Sequence, residues 1–194
     1  MSLRVFLAVD LSAVIRQALV QLQDELRGKL PKVNWVRPAS IHLTLKFLGY
    51  VEGSMVDQLR EALEPLGKGQ SSFMINVQGL GVFPLAQKPR ILWVGLTGEI
   101  QPLLNVVSQI EEALEPIGFV PEERPYHPHL TLARIKQEAS KVGSALNQTG
   151  VLEEKHHLGK LEIDRLTLFQ SELGVNGAKY TPLWSVPFTG DSVQ

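Results

Sequence analysis

The chain has 194 residues, 44% of them hydrophobic and 20% charged, with a formal net charge of −1 and no cysteine. This is the composition of an ordinary globule, long enough for one domain or two intimate lobes around a sizeable core. It excludes disulfides, thiolate catalysis and cysteine-ligated zinc, and it supplies no overall positive field to draw in nucleic acid, so any such contact has to be local. No run approaches the ~18 apolar residues of a membrane span. Met1-Ser2-Leu3-Arg4-Val5-Phe6 lacks the basic region and long apolar run of a secretory signal, so a cytoplasmic location is expected.

In chain order, Arg4 to Asp10 reads as a buried strand. Ser12 caps a helix whose apolar positions Ile15, Leu19, Leu22, Leu26 and Leu30 step by three or four until Pro31. Trp35-Val36-Arg37-Pro38 is an extended approach to a strand from about Ile41 to Leu48, ended by Gly49. Ser54 with Asp57 suggests a capping box, followed by a helix through Met55, Leu59, Leu63 and Leu66 that Pro65 and Gly67 close. Strands are predicted from Phe73 to Leu80 and from Ile91 to Leu96, then a helix through Leu103, Val107, Ile110, Leu114 and Ile117. A proline-bearing segment from Pro121 to Pro128 leads into a strand ending near Ile135. A short helix from Ala139 to Leu146, one strand from Leu161 to Phe169 and another from Tyr180 to Phe188 complete the chain. Loops around His156 and His157, and around Asn176-Gly177, read as exposed.

Two of the five histidines open the same tetrapeptide, His42-Leu43-Thr44-Leu45 and His129-Leu130-Thr131-Leu132, 87 residues apart. Side chains alternate along a strand, so His42 and Thr44 share one face, His129 and Thr131 share another, and the leucines face a core. The same offset brings the first strand, two helices and a third strand onto later counterparts. Duplicated β-α-β-α-β halves follow, an internal repeat that sets two imidazoles across one cleft. Histidine titrates near neutrality, so one neutral ring can take a proton from water while a cationic one protonates a leaving oxygen. The two threonine hydroxyls can hold non-bridging phosphate oxygens. This chemistry requires no metal and no cofactor.

Trp35-Val36-Arg37-Pro38, Phe47-Leu48-Gly49 and Pro128-His129-Leu130-Thr131-Leu132-Ala133-Arg134, taken with the first tetrapeptide, resemble the two-histidine (2H) phosphoesterase superfamily. The nearest branch is that of RNA 2′,3′-cyclic phosphodiesterases, also called 2′-5′ RNA ligases. The resemblance implies an α+β, LigT-like fold: residues 1–194 as one bilobal domain, with antiparallel sheets around a central cleft and both chain ends in one lobe. It implies His42, Thr44, His129 and Thr131 as catalytic residues, and hydrolysis of RNA 2′,3′-cyclic phosphate ends, for instance on tRNA fragments, to 2′-phosphomonoesters. ATP-independent 2′-5′ joining of RNA ends is a further implied activity. Small cyclic nucleotides such as ADP-ribose 1″,2″-cyclic phosphate, or RNA binding without catalysis, are the competing readings. A monomer is expected.

Around these four residues, Arg134 is a candidate phosphate ligand, although strict alternation puts it on the face away from Thr131. Phe47 has the same parity problem and reads as core or as a base-stacking ring. Lys46 falls on the face of His42 and Thr44, where it would add charge at the cleft rim. Tyr126 lines the cleft or packs. His127 with His129 forms a His-x-His pair that lacks further metal ligands. Trp35 and Arg37 read as supports of the first motif strand, and Arg4, Lys88, Arg90 and Arg124 as possible guides for RNA.

Overall fold

In the computed structural model, which describes residues 1–174 and 177–190, nine strands and four α-helices build two antiparallel sheets. The strands are β1 (Ser2–Val9), β2 (Asn34–Trp35), β3 (Leu43–Glu52), β4 (Phe73–Phe83), β5 (Ile91–Thr97), β6 (His129–Arg134), β7 (His157–Ile163), β8 (Arg165–Gly174) and β9 (Gly177–Pro187). The helices are α1 (Ala13–Lys29), α2 (Met55–Gly69), α3 (Gln101–Leu114) and α4 (Ala139–Thr149). One sheet has the order β3-β1-β8-β9 and the other β2-β6-β5-β4-β7. Both ends of the described chain therefore lie in the four-stranded sheet. The expected α+β duplication is present.

The sequence explains these elements locally. Ser12 Oγ accepts the Ile15 amide at 3.3 Å, and α1 turns Ile15, Leu19, Leu22 and Leu26 inward. β1 is buried from Val5 to Val9, where it is central in its sheet. Val5, Leu7 and Val9 join the main core, whereas Phe6 and Ala8 point to the opposite face and pack with Phe169 and Tyr180. Each leucine of the main core is worth ~1.5–3 kcal/mol relative to exposure.

Four expectations about boundaries change. β3 runs through Gly49, which takes φ +76°, and ends at Glu52. Helix α2 continues past Pro65 to Gly69, and Ser54 makes no side-chain cap. Gly67 is needed inside that helix because a Cβ there would lie 2.3 Å from Val186 Cγ1. The single strand expected from Leu161 to Phe169 is two: the chain leaves one sheet as β7 and, after Asp164, enters the other as β8. His156 and His157 are not a loop pair either, since His157 opens β7 and the His156 ring reaches the Val151 carbonyl at 3.1 Å. Asn176 lies outside the described residues.

β3 is tied to α3 from behind. Lys46 Nζ forms an ion pair with Glu111 and donates to the Val120 carbonyl at 3.1 Å, and only 3% of the Lys46 side chain is exposed. A buried ammonium left alone is costly, whereas replacing both partners by apolar groups need not be. Glu111→Ala should therefore destabilise the protein by ~3–5 kcal/mol in urea denaturation, and the pair Lys46→Met with Glu111→Leu should recover most of that loss. Equal losses in the single and double variants would contradict this account of the pair.

Candidate active site

His42 stands just before β3, and His129 is the first residue of β6. The leucines that alternate with these residues, Leu43, Leu45, Leu130 and Leu132, are all at least 97% buried in the main core. His42 and Thr44, and likewise His129 and Thr131, are therefore on the faces turned away from it. β3 and β6 belong to different sheets, yet their Cα atoms come within 8 Å of one another, so the two motif strands are neighbours.

Each strand then breaks its alternation at the same place. Opposite β1, Lys46 pairs with Leu7 and Thr44 with Ala8, which leaves Leu45 as an extra residue. Opposite β5, Ala133 pairs with Leu92 and Thr131 with Trp93, which leaves Leu132 as an extra residue. These are β-bulges, and one extra residue inverts the facing of everything after it. Lys46 and Ala133 consequently turn inward, at 5% and 0% exposure. Phe47 and Arg134 turn outward, onto the faces of the histidines. Phe47 is 63% exposed, with its ring 6.0 Å from that of Phe6, and Arg134 is exposed and close enough to disfavour a proton on His129. The expected position of Lys46 at the cleft rim is thus wrong: its charge is spent on Glu111. The parity objection to Phe47 and Arg134 disappears for the same reason.

A bulge frees backbone polar groups that must find partners. Here the Thr44 carbonyl accepts the Tyr126 hydroxyl at 2.8 Å. The Leu132 carbonyl accepts the Val36 amide at 2.8 Å and Gln23 Nε2 at 3.1 Å. Tyr126 precedes β6 and binds β3, so it spans the two motif strands, and burial pushes its phenol pKa up, which keeps the hydroxyl a donor. Gln23, 1% exposed, also donates to the Val36 carbonyl at 2.8 Å. Its only trace in the sequence is a glutamine between Leu22 and Leu26 on the buried side of α1. Trp35 pairs with Ala133 of β6, the second motif strand.

Both rings are held alike. His42 Nδ1 lies 3.2 Å from the Ser40 carbonyl, and His129 Nδ1 lies 2.6 Å from the His127 carbonyl. A carbonyl only accepts, so each Nδ1 carries the hydrogen and each Nε2 is left for chemistry. The His127 backbone thus serves the site, while its side chain is exposed. Aromatic rings wall both imidazoles: Phe169 at 4.6 Å and Tyr180 at 5.3 Å from His42, Phe83 at 5.1 Å and Trp93 at 6.2 Å from His129. Trp93 lies over Gly81, where a Cβ would come within 2.2 Å of the indole.

The surroundings differ in charge. Burial lowers the pKa of both rings below the usual histidine value. Asp10 counters this at His42, and the Ser40 carbonyl adds to its effect, while Arg16 works against it. At His129 the carbonyl of His127 favours the proton, but the His127 and Arg134 side chains oppose it. Asp10 Oδ1 is 3.6 Å from His42 Nε2. Arg16 pairs with Asp10 and donates to the Pro38 and Ile41 carbonyls at 2.7 and 3.3 Å, framing the turn that carries His42. At the corresponding place opposite His129 stands Gly95. A second cluster, Glu25, Glu154 and His156, has metal-ligand spacing, but Lys29 is 2.6 Å from Glu25 and 3.6 Å from Glu154, which makes it an ion-pair network.

Comparison with known proteins matches this duplication. The model of the LigT like Phosphoesterase family fits the chain twice, over residues 9–93 and 94–180. An Aeropyrum pernix protein named RNA 2′,3′-cyclic phosphodiesterase is 32% identical over 170 residues, which cover 87% of this chain and 93% of that one. One of the same name from Methanothermobacter thermautotrophicus is 30% identical over 94% of this chain and 97% of its own. Among solved structures, a Thermus thermophilus protein superposes with a TM-score of 0.81 at 26% identity, covering 97% of this chain and all of the other. Escherichia coli LigT, in complex with 3′-AMP, shares the fold at a TM-score of 0.78 and 23% identity, covering 97% and 99%. With the family model occupying both halves of a chain whose two His-Thr strands adjoin, this protein belongs to the LigT-like, two-histidine phosphoesterases.

Proposed function

We propose that the protein is an RNA 2′,3′-cyclic phosphodiesterase that opens the terminal cyclic phosphate to a 2′-phosphomonoester. The observation that carries this reading is the matched pair of imidazoles on adjoining strands, each with Nδ1 engaged and Nε2 available. The names of relatives at about 30% identity support the same substrate. His42, Thr44, His129 and Thr131 are the proposed catalytic residues, with Arg134 and Phe47 beside them as substrate contacts and Tyr126 as a positioning residue.

The charges suggest the division of labour. Asp10 beside Nε2 favours the cationic form of His42, the general acid. Arg134 and His127 favour the neutral form of His129, the general base. Water attacks phosphorus and gives its proton to His129 Nε2. The bond from phosphorus to the ribose 3′-oxygen breaks, and His42 Nε2 supplies the proton to that oxygen. Phosphate remains on the 2′-oxygen. Thr44, Thr131 and Arg134 offset charge on the non-bridging oxygens. An RNA 5′-hydroxyl in place of water would give the 2′-5′ linkage with the same acid and base, and no ATP enters either balance.

An RNA ending in 2′,3′-cyclic phosphate, incubated in EDTA, should yield the 2′-phosphate. His42→Ala and His129→Ala should each lower kcat by ~10²–10⁴, and Thr44→Ala and Thr131→Ala by ~10–10³, with KM little changed. Near-full turnover by either histidine variant, or loss of activity in EDTA that zinc or manganese restores, would refute the mechanism.

The pH dependence follows from the same charges. Both rings titrate below the usual 6.5, so kcat/KM should be bell-shaped with its optimum on the acid side of that value. The base must be neutral, which sets the acid limb, and the acid must be protonated, which sets the alkaline limb. Asp10→Asn removes the anion beside His42, lowers its proton affinity and should move the alkaline limb to lower pH while the acid limb stays. Movement of the acid limb alone would reverse the assignment of roles.

A further inference from the structure

A cavity of about 260 Å³ opens directly beside His42. It is lined by Arg37, Ala39, Ser40, His42, Ala178, Lys179 and Tyr180. Its floor is the turn that carries the catalytic ring, and one wall is the start of β9. Arg37 Nη2 donates to the Ala178 carbonyl at 3.2 Å, which fastens the floor to the wall and leaves the other guanidinium N–H groups unassigned by any described contact. Arg37 and Lys179 are both exposed, and among the described residues neither is held by an ion pair. Glu172 is the residue opposite Lys179 in the ladder between β8 and β9. The protein as a whole carries a charge of −1, so two cations that line one cavity, neither in an ion pair among the described residues, give it local positive charge against a near-neutral background. Arg and Lys are the side chains that bind phosphate, Arg through its planar fork and Lys as a point charge. Tyr180 adds a ring face, and aromatic faces stack bases with little regard to sequence.

The cavity shares His42 with the proposed reacting centre, so it lies within reach of the next group along a substrate whose cyclic phosphate meets His42. In an RNA end that group is the phosphodiester on the 5′ side of the terminal ribose. We propose that Arg37 and Lys179 form a subsite for this second phosphate, with Tyr180 against the attached nucleoside. The protein would then select cyclic phosphates that continue into a further phosphate over isolated nucleoside cyclic phosphates. This inference rests on the proposed reaction at His42 and His129. The same chemistry is offered by two sources: the phosphodiester of an RNA end and the pyrophosphate of ADP-ribose 1″,2″-cyclic phosphate.

The test compares kcat/KM for uridine 2′,3′-cyclic phosphate, for the dinucleotide UpU ending in 2′,3′-cyclic phosphate and for ADP-ribose 1″,2″-cyclic phosphate. The proteins are the wild type, Arg37→Gln, Lys179→Gln and the double variant. The wild type should prefer the dinucleotide over the mononucleotide by about tenfold or more, the worth of one charge-assisted contact. The double variant should lose most of that ratio, and added salt should compress it in the wild type. A preference shown by ADP-ribose cyclic phosphate and not by the dinucleotide would assign the subsite to the pyrophosphate. No preference in the wild type, or equal losses on mono- and dinucleotide in the variants, would overturn the subsite. The same ratios read as dissociation constants for the 2′-phosphate products, UpU 2′-phosphate against uridine 2′-phosphate, test it without turnover. A binding preference without hydrolysis of any substrate would refute the proposed reaction and leave the subsite standing.

Discussion

A histidine with one ring nitrogen bound to a backbone carbonyl has a single nitrogen left for proton transfer, and its orientation is set by the main chain. Both imidazoles of this protein are held in that way, by the carbonyl two residues earlier. The rest of the architecture serves to keep those carbonyls and rings in place. Arg16 frames the turn that supplies Ser40, Tyr126 and Gln23 satisfy the carbonyls that the bulges release, and the Lys46–Glu111 pair pins β3 to α3 from behind.

The bulges turn a repeated tetrapeptide into a repeated site. Without them, strict alternation would put Lys46 in one half and Ala133 in the other beside each histidine and threonine, on the face away from the core. With them, Lys46 and Ala133 turn inward and Phe47 in one half and Arg134 in the other take those places. The duplication is thus geometric, while the residues it presents have diverged. In the proposed mechanism, divergence also allows an acid and a base to arise from equivalent frames. Asp10, which favours a proton on His42, stands where Gly95 stands opposite His129, and at His129 the His127 and Arg134 side chains disfavour one, on two rings whose pKa burial lowers alike.

Much of the fold is legible in the sequence, because leucine spacing and the doubled tetrapeptide report burial directly. The α1 cap, the two motif strands and the pairing of halves all follow from that pattern. Other features are beyond it. Strict alternation has no way to announce a bulge, so it places Lys46 on the wrong face. The repeat itself holds a signal: the counterpart of Lys46 is Ala133, an odd partner for a rim cation but an ordinary one for a buried position. The 87-residue offset fits the motif strands, whereas β1 and β5 correspond two residues closer, with Ala8 facing Thr44 as Trp93 faces Thr131. Asp10 carries no signal, because its significance depends on which residue it meets across the sheet. The split of the strand at Asp164 is equally hidden, since a change of sheet is a tertiary event with the same local alternation on both sides.

The central claim, that equivalent rings are driven into opposite roles by their neighbours, is tested most directly with a substrate whose leaving 3′-oxygen is replaced by sulfur. A thiolate departs with little help from an acid. If His42 is the acid, His42→Ala should hydrolyse this substrate at close to the wild-type rate while His129→Ala remains slow. Rescue of His129→Ala in place of His42→Ala, or of neither, would contradict the account.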